Sequence, residues 1–229
     1  MGVSDALAIG LGHRPLLTLG LLIEIAEEER MTLVSSPVRL IHPKRFGDER
    51  GWFTEVYSEK TFADAGIAVR FVQDNHSLSR PVGTLRGLHF QTPPHGQNKL
   101  VRCIRGAIFD VAVDLRRGSP TYGRWVGAEL SAENGRQLFI RTGFAHGFVT
   151  LAPDTEVTYK VSALYAPAND GGIRWNDPDI AIIWPLPEGL TPSLSAKDEK
   201  APFLRNFASP FDYEGAPLEK LELSATVLG

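Results

Sequence analysis

The stretch RGLHFQTPPHGQNKLVR, residues 86–102, gathers side chains that can do chemistry. His89 and His95 stand six apart, Lys99 follows four residues later, and Arg86 and Arg102 lie at the two ends. Such a set fits three chemistries: two histidines can begin a metal site, the cations can hold an anion, and a neutral imidazole can take a proton from a carbon acid. A metal needs three or four converging ligands, yet a His-x-His start is absent because Gln91 occupies the second position, and no carboxylate has ligand spacing. His146 of GFAHGF could still join His89 inside a barrel. His95 follows Pro93 and Pro94 and reads as a solvated loop histidine.

In TLRGLHFQ, strand alternation puts His89 on the face of Leu85, Gly87 and Gln91. A lone inward histidine is more often structural. The company of Tyr159, Lys99 and His146 makes a pocket more polar than a plain core requires. Arg50, Arg86, Arg102 and Lys197 each read as solvated cations unless a shared ligand collects them. Glu55, in GDERGWFTE, and Gln73, Asp74 and Asn75, in FVQDNHS, are individually explained by turns and capping.

The elements that must position these residues are strands. From Val38 to about Trp184, short runs of period two are separated by Gly, Pro, Asn and Asp. In IFDVAVDL, Phe109, Val111, Val113 and Leu115 alternate with Ile108, Asp110, Ala112 and Asp114, as expected for a strand with one face buried. In EVTYKVSA, Val157, Tyr159, Val161 and Ala163 share one face, so Tyr159 is expected to point inward. SEKTFADAG predicts a short helix with Ser58 as N-cap and Gly66 as its stop. Many short strands argue for an all-β sandwich or barrel, here a jelly roll, with an interior pocket for inward side chains. After Trp184 the Pro-rich segment WPLPEGLTPSLSAKDEKAPFL is expected to pack on the barrel as irregular structure and short helix.

Of the 229 residues, 43% are hydrophobic and 22% charged, which excludes a disordered or membrane-embedded class. With a net charge of −3 and no basic stripe interleaved with aromatics, the footprint of a nucleic-acid binder is missing. Cys103 is the only cysteine, so no internal disulfide or CxxC pair exists, and a reducing cytoplasm fits best. The apolar run in PLLTLGLLIEIAEEER is too short to span a bilayer and is broken by Glu24. Residues 1–33 are therefore expected to be an extension outside the chemistry, with Met31 an equally sensible start; 34–210 form the jelly-roll domain and 211–229 a C-terminal tail.

Taken in order, GDERGWFTE, FVQDNHS, LRGLHFQ, KLVRC, FDVAVDLR, GFAHGF, TYK, WNDPDIAIIWP and LSAKD resemble the dTDP-4-dehydrorhamnose 3,5-epimerase family over roughly residues 38–207. The resemblance implies a cupin-type jelly-roll barrel with short peripheral helices, a homodimer, and an isomerase working without metal or organic cofactor on a dTDP-linked 4-keto-6-deoxy sugar. It implies His89 as proton acceptor with Asp198 as its partner, Tyr159 as proton donor, and Lys99 beside the developing enolate oxygen. Arg50, Glu55, Gln73, Asp74, Asn75, Arg86, Lys99, His146, Asp170 and Lys197 match substrate-contacting positions, and Tyr165 matches the aromatic that stacks on thymine. Two departures stand out: Arg141 and Thr142 replace a Pro-Glu pair, and Asp170 replaces a glutamate. His95 inherits no role. The alternatives at this point are an epimerase of C3 alone or C5 alone, a metal-dependent cupin, and a module that binds a nucleotide sugar without turnover.

Overall fold

Period-two alternation becomes strand pairing in the computed structural model, which describes residues 36–221 and 226–228. The strands are β1 (Val38–Pro43), β2 (Phe46–Asp48), β3 (Gly51–Phe53), β4 (Gln73–Ser79), β5 (Leu85–Gln91), β6 (Lys99–Arg105), β7 (Ala107–Asp114), β8 (Trp125–Ser131), β9 (Gln137–Ile140), β10 (Phe144–Thr150), β11 (Thr155–Val161), β12 (Asp170–Gly172) and β13 (Thr226–Leu228). One sheet runs β13-β1-β9-β6-β11-β4, a second runs β12-β5-β10-β7-β8, and β2 with β3 forms a separate hairpin. The sheets face each other across a core in which Val38, Val101, Leu138 and Val157 of the first meet Ile108, Leu130, Phe144 and Phe148 of the second. This is the all-β, cupin-type jelly roll.

Both outer faces are also covered, which corrects the one-sided reading of IFDVAVDL. Ile108 and Ala112 enter the core between the sheets, while Val111, Val113 and Leu115 pack outward against Ile180, Leu204 and Phe211 of the C-terminal segment. Asp110 therefore points into the barrel and is fully buried. The outer face of the six-stranded sheet is covered by the helix Glu59–Asp64, whose Phe62 packs on Leu100 and Phe139. Ser58 caps that helix by accepting from the Thr61 amide at 3.3 Å, and Gly66 follows its end at φ +80°.

The expected extension, residues 1–33, lies outside the described residues. In the tail, Phe211 is buried on the outside of the five-stranded sheet, Leu221 reaches the core between the sheets, and β13 pairs in parallel with β1. Among the described residues no helix is long and apolar enough to cross a membrane.

Candidate active site

The cleft is built where β5 and β10 of one sheet look across at β6, β11 and β4 of the other. His146 pairs with His89, but the register then shifts so that Phe148 pairs with Arg86. Arg86 and His89 stand three positions apart, and simple alternation would send them to opposite faces. The irregularity brings both to the same cavity, correcting the parity that grouped His89 with Leu85 and Gly87. Gly87 makes this possible: at φ +127° a Cβ there would lie 2.5 Å from the Cα of Gly147.

Two connected cavities, about 380 and 240 Å³, share His89, Lys99 and Tyr159. The larger is also lined by Gln73, Asn75, Tyr165, Asp170 and Lys197, the smaller by Arg86, His146 and Asp198. Of the residues expected at a site, eleven thus meet in one cleft. His89 projects from the five-stranded sheet and Tyr159 from the six-stranded sheet, so an imidazole and a phenol flank the space between them.

Asp198 is delivered by a one-turn helix, Ala196–Glu199, whose N-cap Ser195 accepts from the Asp198 amide at 3.1 Å. Its Oδ1 accepts from His89 Nε2 at 2.5 Å, leaving Nδ1 as the free ring nitrogen. Burial would raise this carboxyl, but hydrogen bonds from His89, Ser195 and the Gly87 amide, with the charge of His89, hold it below the ordinary value. Lys99, 7% exposed, donates from Nζ to the His89 carbonyl at 3.3 Å. Burial lowers its ammonium to about 8, against the upward pull of Asp110 and Asp170. Burial raises the Tyr159 phenol, so it stays protonated at neutral pH.

At the mouth, Asp170 Oδ2 accepts from Lys197 at 2.5 Å and from the Tyr165 hydroxyl at 3.1 Å. Arg86 donates to Ser79 Oγ at 3.1 Å and to the Leu78 carbonyl at 3.2 Å, which aims its guanidinium along the cleft. Among the described residues no group of three His, Cys, Asp or Glu converges as metal ligands would.

Three expected residues are not brought to this cleft by the chain that carries them. Asp74 alternates with Gln73 and Asn75 and faces the other side of the sheet, where it pairs with Lys160 at 2.9 Å. Arg50 pairs with Asp48 in the β2–β3 hairpin and is 83% exposed in its side chain. Glu55 accepts from Thr61 Oγ1 at 2.8 Å beside Lys44 and Phe46. Two useful residues were missed. Gln91 donates to the carbonyls of His95 and Leu164 and accepts from the Ala166 amide, tying together the loops at the cleft mouth. Asp110 accepts from His146 Nε2 at 2.7 Å.

Residues 35–206 match the family model for dTDP-4-dehydrorhamnose 3,5-epimerase. The chain belongs to that family. It is an isomerase of this type, and its similarity to individual members is high. A dTDP-4-dehydrorhamnose 3,5-epimerase of Sinorhizobium fredii is 53% identical over 190 residues, covering 83% of this chain and 96% of the relative. The crystal structure of the Bacillus anthracis enzyme with TDP and PPi bound is 50% identical, with a TM-score of 0.70 over 72% of this chain and 93% of that one. The Legionella pneumophila enzyme, in complex with dTDP-4-keto-L-rhamnose, is 45% identical, with a TM-score of 0.71 over 80% and 94% of the two chains. Relatives in this family thus hold a thymidine diphosphate or its keto sugar. The cleft described above sets His89 and Tyr159 on opposed sheets, with Arg86, Lys99 and Lys197 beside them.

Proposed function

We propose that this isomerase inverts C3 and C5 of dTDP-4-dehydro-6-deoxy-D-glucose to give dTDP-4-dehydro-L-rhamnose. The observation that carries the reading is the opposition of His89, backed by Asp198, to Tyr159 across one cleft that also contains Lys99. The C4 carbonyl of such a sugar acidifies the hydrogens on C3 and C5. Inversion removes a proton from one face and returns one to the other. A single side chain cannot stand on both faces, whereas residues from two facing sheets can.

His89 Nδ1, the ring nitrogen not committed to Asp198, takes the proton as general base. Asp198 fixes the tautomer through Nε2–H and stabilises the imidazolium that forms. Negative charge moves to the C4 oxygen, where the Lys99 ammonium meets it; a preorganised donor of this kind is worth roughly 3–4 kcal/mol. Tyr159 then gives its phenolic proton to the opposite face of the carbanion. Once His89 has released its proton to solvent and Tyr159 has regained one from it, repeating the cycle at the second carbon completes the double inversion.

The nucleotide handle positions the sugar. Arg86 and Lys197 suit diphosphate oxygens, Gln73 and Asn75 suit polar edges of the ligand, and His146 faces the sugar hydroxyls. Tyr165, 58% exposed at the mouth, is placed to stack on thymine once it leaves Asp170. The enzyme acts as a cytoplasmic homodimer. The hairpin β2–β3 presents Phe46, Trp52 and Phe53 at 55%, 54% and 70% exposure, an apolar set that a second copy would cover. In that dimer Arg50 and Glu55 reach the partner's cleft, and the epimerase domain, residues 34–210, carries the whole catalytic set.

The test is turnover of dTDP-4-dehydro-6-deoxy-D-glucose in heavy water. Deuterium entering both C3 and C5, with product of inverted configuration at each by NMR, supports the reading. Entry at one carbon only makes the chain a mono-epimerase, and entry at neither overturns the reaction.

A further inference from the structure

The cleft contains a second histidine–carboxylate pair behind the first. His146 Nε2–H donates to Asp110 Oδ1 at 2.7 Å, and the two residues are 6% and 0% exposed. Asp110 comes from β7, on the face that carries Ile108 and Ala112 into the core. Its second oxygen, Oδ2, is buried without a hydrogen-bond partner. Native proteins rarely leave a buried carboxylate oxygen unpaired, and where they do the group commonly has a use beyond packing.

Lys99 shares the smaller cavity with His146 and is itself buried. Its acceptor, the neutral His89 carbonyl at 3.3 Å, does not balance an ammonium charge. The charged and titratable groups around it are His89 and Arg86 from β5, His146 from β10, Tyr159 from β11, Asp170 from β12, Asp110 from β7, and Lys197 and Asp198 from the C-terminal segment. Among the three carboxylates, Asp198 is engaged by His89, and Asp170 by Lys197 and Tyr165. Asp110 is the one whose second oxygen is buried without a hydrogen-bond partner.

We propose that Asp110 is a positioning residue for the end of the cleft that receives the enolate: Oδ1 fixes the His146 ring, and the uncompensated charge on the carboxylate keeps Lys99 an ammonium. The inference rests on the enolate chemistry proposed above and adds the group that makes a buried cation affordable to it. Of the charges acting on Lys99, Asp110 exerts the largest upward pull against burial. The same contact determines what His146 offers. Burial lowers its pKa despite the neighbouring carboxylate, so the ring is neutral, with Nε2–H committed to Asp110 and Nδ1 left as an acceptor. His146 thus presents a lone pair suited to a sugar hydroxyl, and Lys99 presents the positive charge.

The experiment reads Lys99 directly, in the full-length chain without substrate, by NMR of lysine labelled with ¹³C at Cε. Its signal is assigned by its loss in Lys99→Met. In Asp110→Asn the Lys99 midpoint is expected to fall by about one pH unit or more, the effect of removing a close opposite charge. Asp110→Glu, which keeps the charge, restores it. The alkaline limb of kcat moves down by the same amount in Asp110→Asn and returns in Asp110→Glu, a shift that lost packing alone would not produce. An unmoved Lys99 midpoint in folded Asp110→Asn overturns the proposal. Should that variant fail to fold, the parent chain decides, because a Lys99 that is neutral at pH 7 overturns it equally. The NMR arm needs no turnover: an inactive chain with a shifted Lys99 would sink the proposed reaction alone, and an active chain with an unmoved Lys99 would sink the role of Asp110 alone.

Discussion

His89 Nε2 and Asp198 Oδ1 lie 2.5 Å apart although 109 residues separate them in the chain. The strand β5 supplies the imidazole and the Ser195-capped turn supplies the carboxylate, so two unrelated local structures hold one tautomer. Asp198→Asn keeps the shape and removes the charge. It is expected to lower kcat by about 10²–10⁴ with little change in KM, measured by coupled turnover. Because the folded carboxyl titrates below its ordinary value, the pair adds stability above the unfolded pKa of ~3.9 and loses it as pH falls through the folded value. Urea midpoints at pH 7 and in acid therefore converge for parent and variant as pH falls.

Removing the base itself separates chemistry from binding. His89→Asn eliminates the free Nδ1 lone pair but leaves Arg86, Lys197 and Tyr165 in place to hold the nucleotide. Deuterium exchange at both carbons is expected to vanish while calorimetric affinity for TDP stays within about threefold of the parent, well under the ~1.4 kcal/mol that a tenfold change represents. A large loss of TDP affinity would instead make His89 a binding residue.

Tyr159 lies on the facing sheet, so its loss should spare the first half of the reaction. In Tyr159→Phe, His89 still abstracts a proton and can return a deuteron to the same face. Label is then expected to enter recovered substrate while inverted product falls by about 10²–10⁴. Equal loss of both signals would remove Tyr159 from the donor role.

Lys99 predicts the alkaline side of the pH profile. The enolate needs an ammonium, and burial lowers this one to about 8, so kcat is expected to decline as pH rises through that value. Tyr159, raised by burial, remains protonated over the same range. Lys99→Met should lose roughly 10²–10³ in kcat and, with it, the limb near that pH.

Alternation read much of the architecture correctly, because Val157, Tyr159 and Val161 lie on a regular strand with one face inward. It failed where the ladder is irregular or where both faces are covered. The register shift opposite His146 puts Arg86 beside His89, which no count of residues shows. Asp110 looked like the solvent side of β7 because Phe109, Val111 and Val113 are so apolar; they face a second core made by the C-terminal segment. The His89–Asp198 contact was legible only through family resemblance, since a pairing between a strand and a distant turn leaves no local spacing. Asp74, named from the same resemblance, lies on the face opposite Gln73 and Asn75 and pairs with Lys160.

The position of Arg50 leads to a test of assembly. Its guanidinium pairs with Asp48 on an exposed hairpin, and it lines neither cavity that holds His89 of its own chain. If it serves a substrate, it does so in a second copy, whose cleft the aromatic hairpin would reach. Arg50→Ala and His89→Asn should then each be nearly inactive as pure dimers. After equal amounts are dissociated and re-associated, about half of the dimers are mixed, and each mixed dimer has one cleft with both residues intact. Activity is expected to recover to about a quarter of the parent's, by the same two-state count. If Arg50 acted on the cleft of its own chain, every site in the mixture would still lack one residue, and no activity would return.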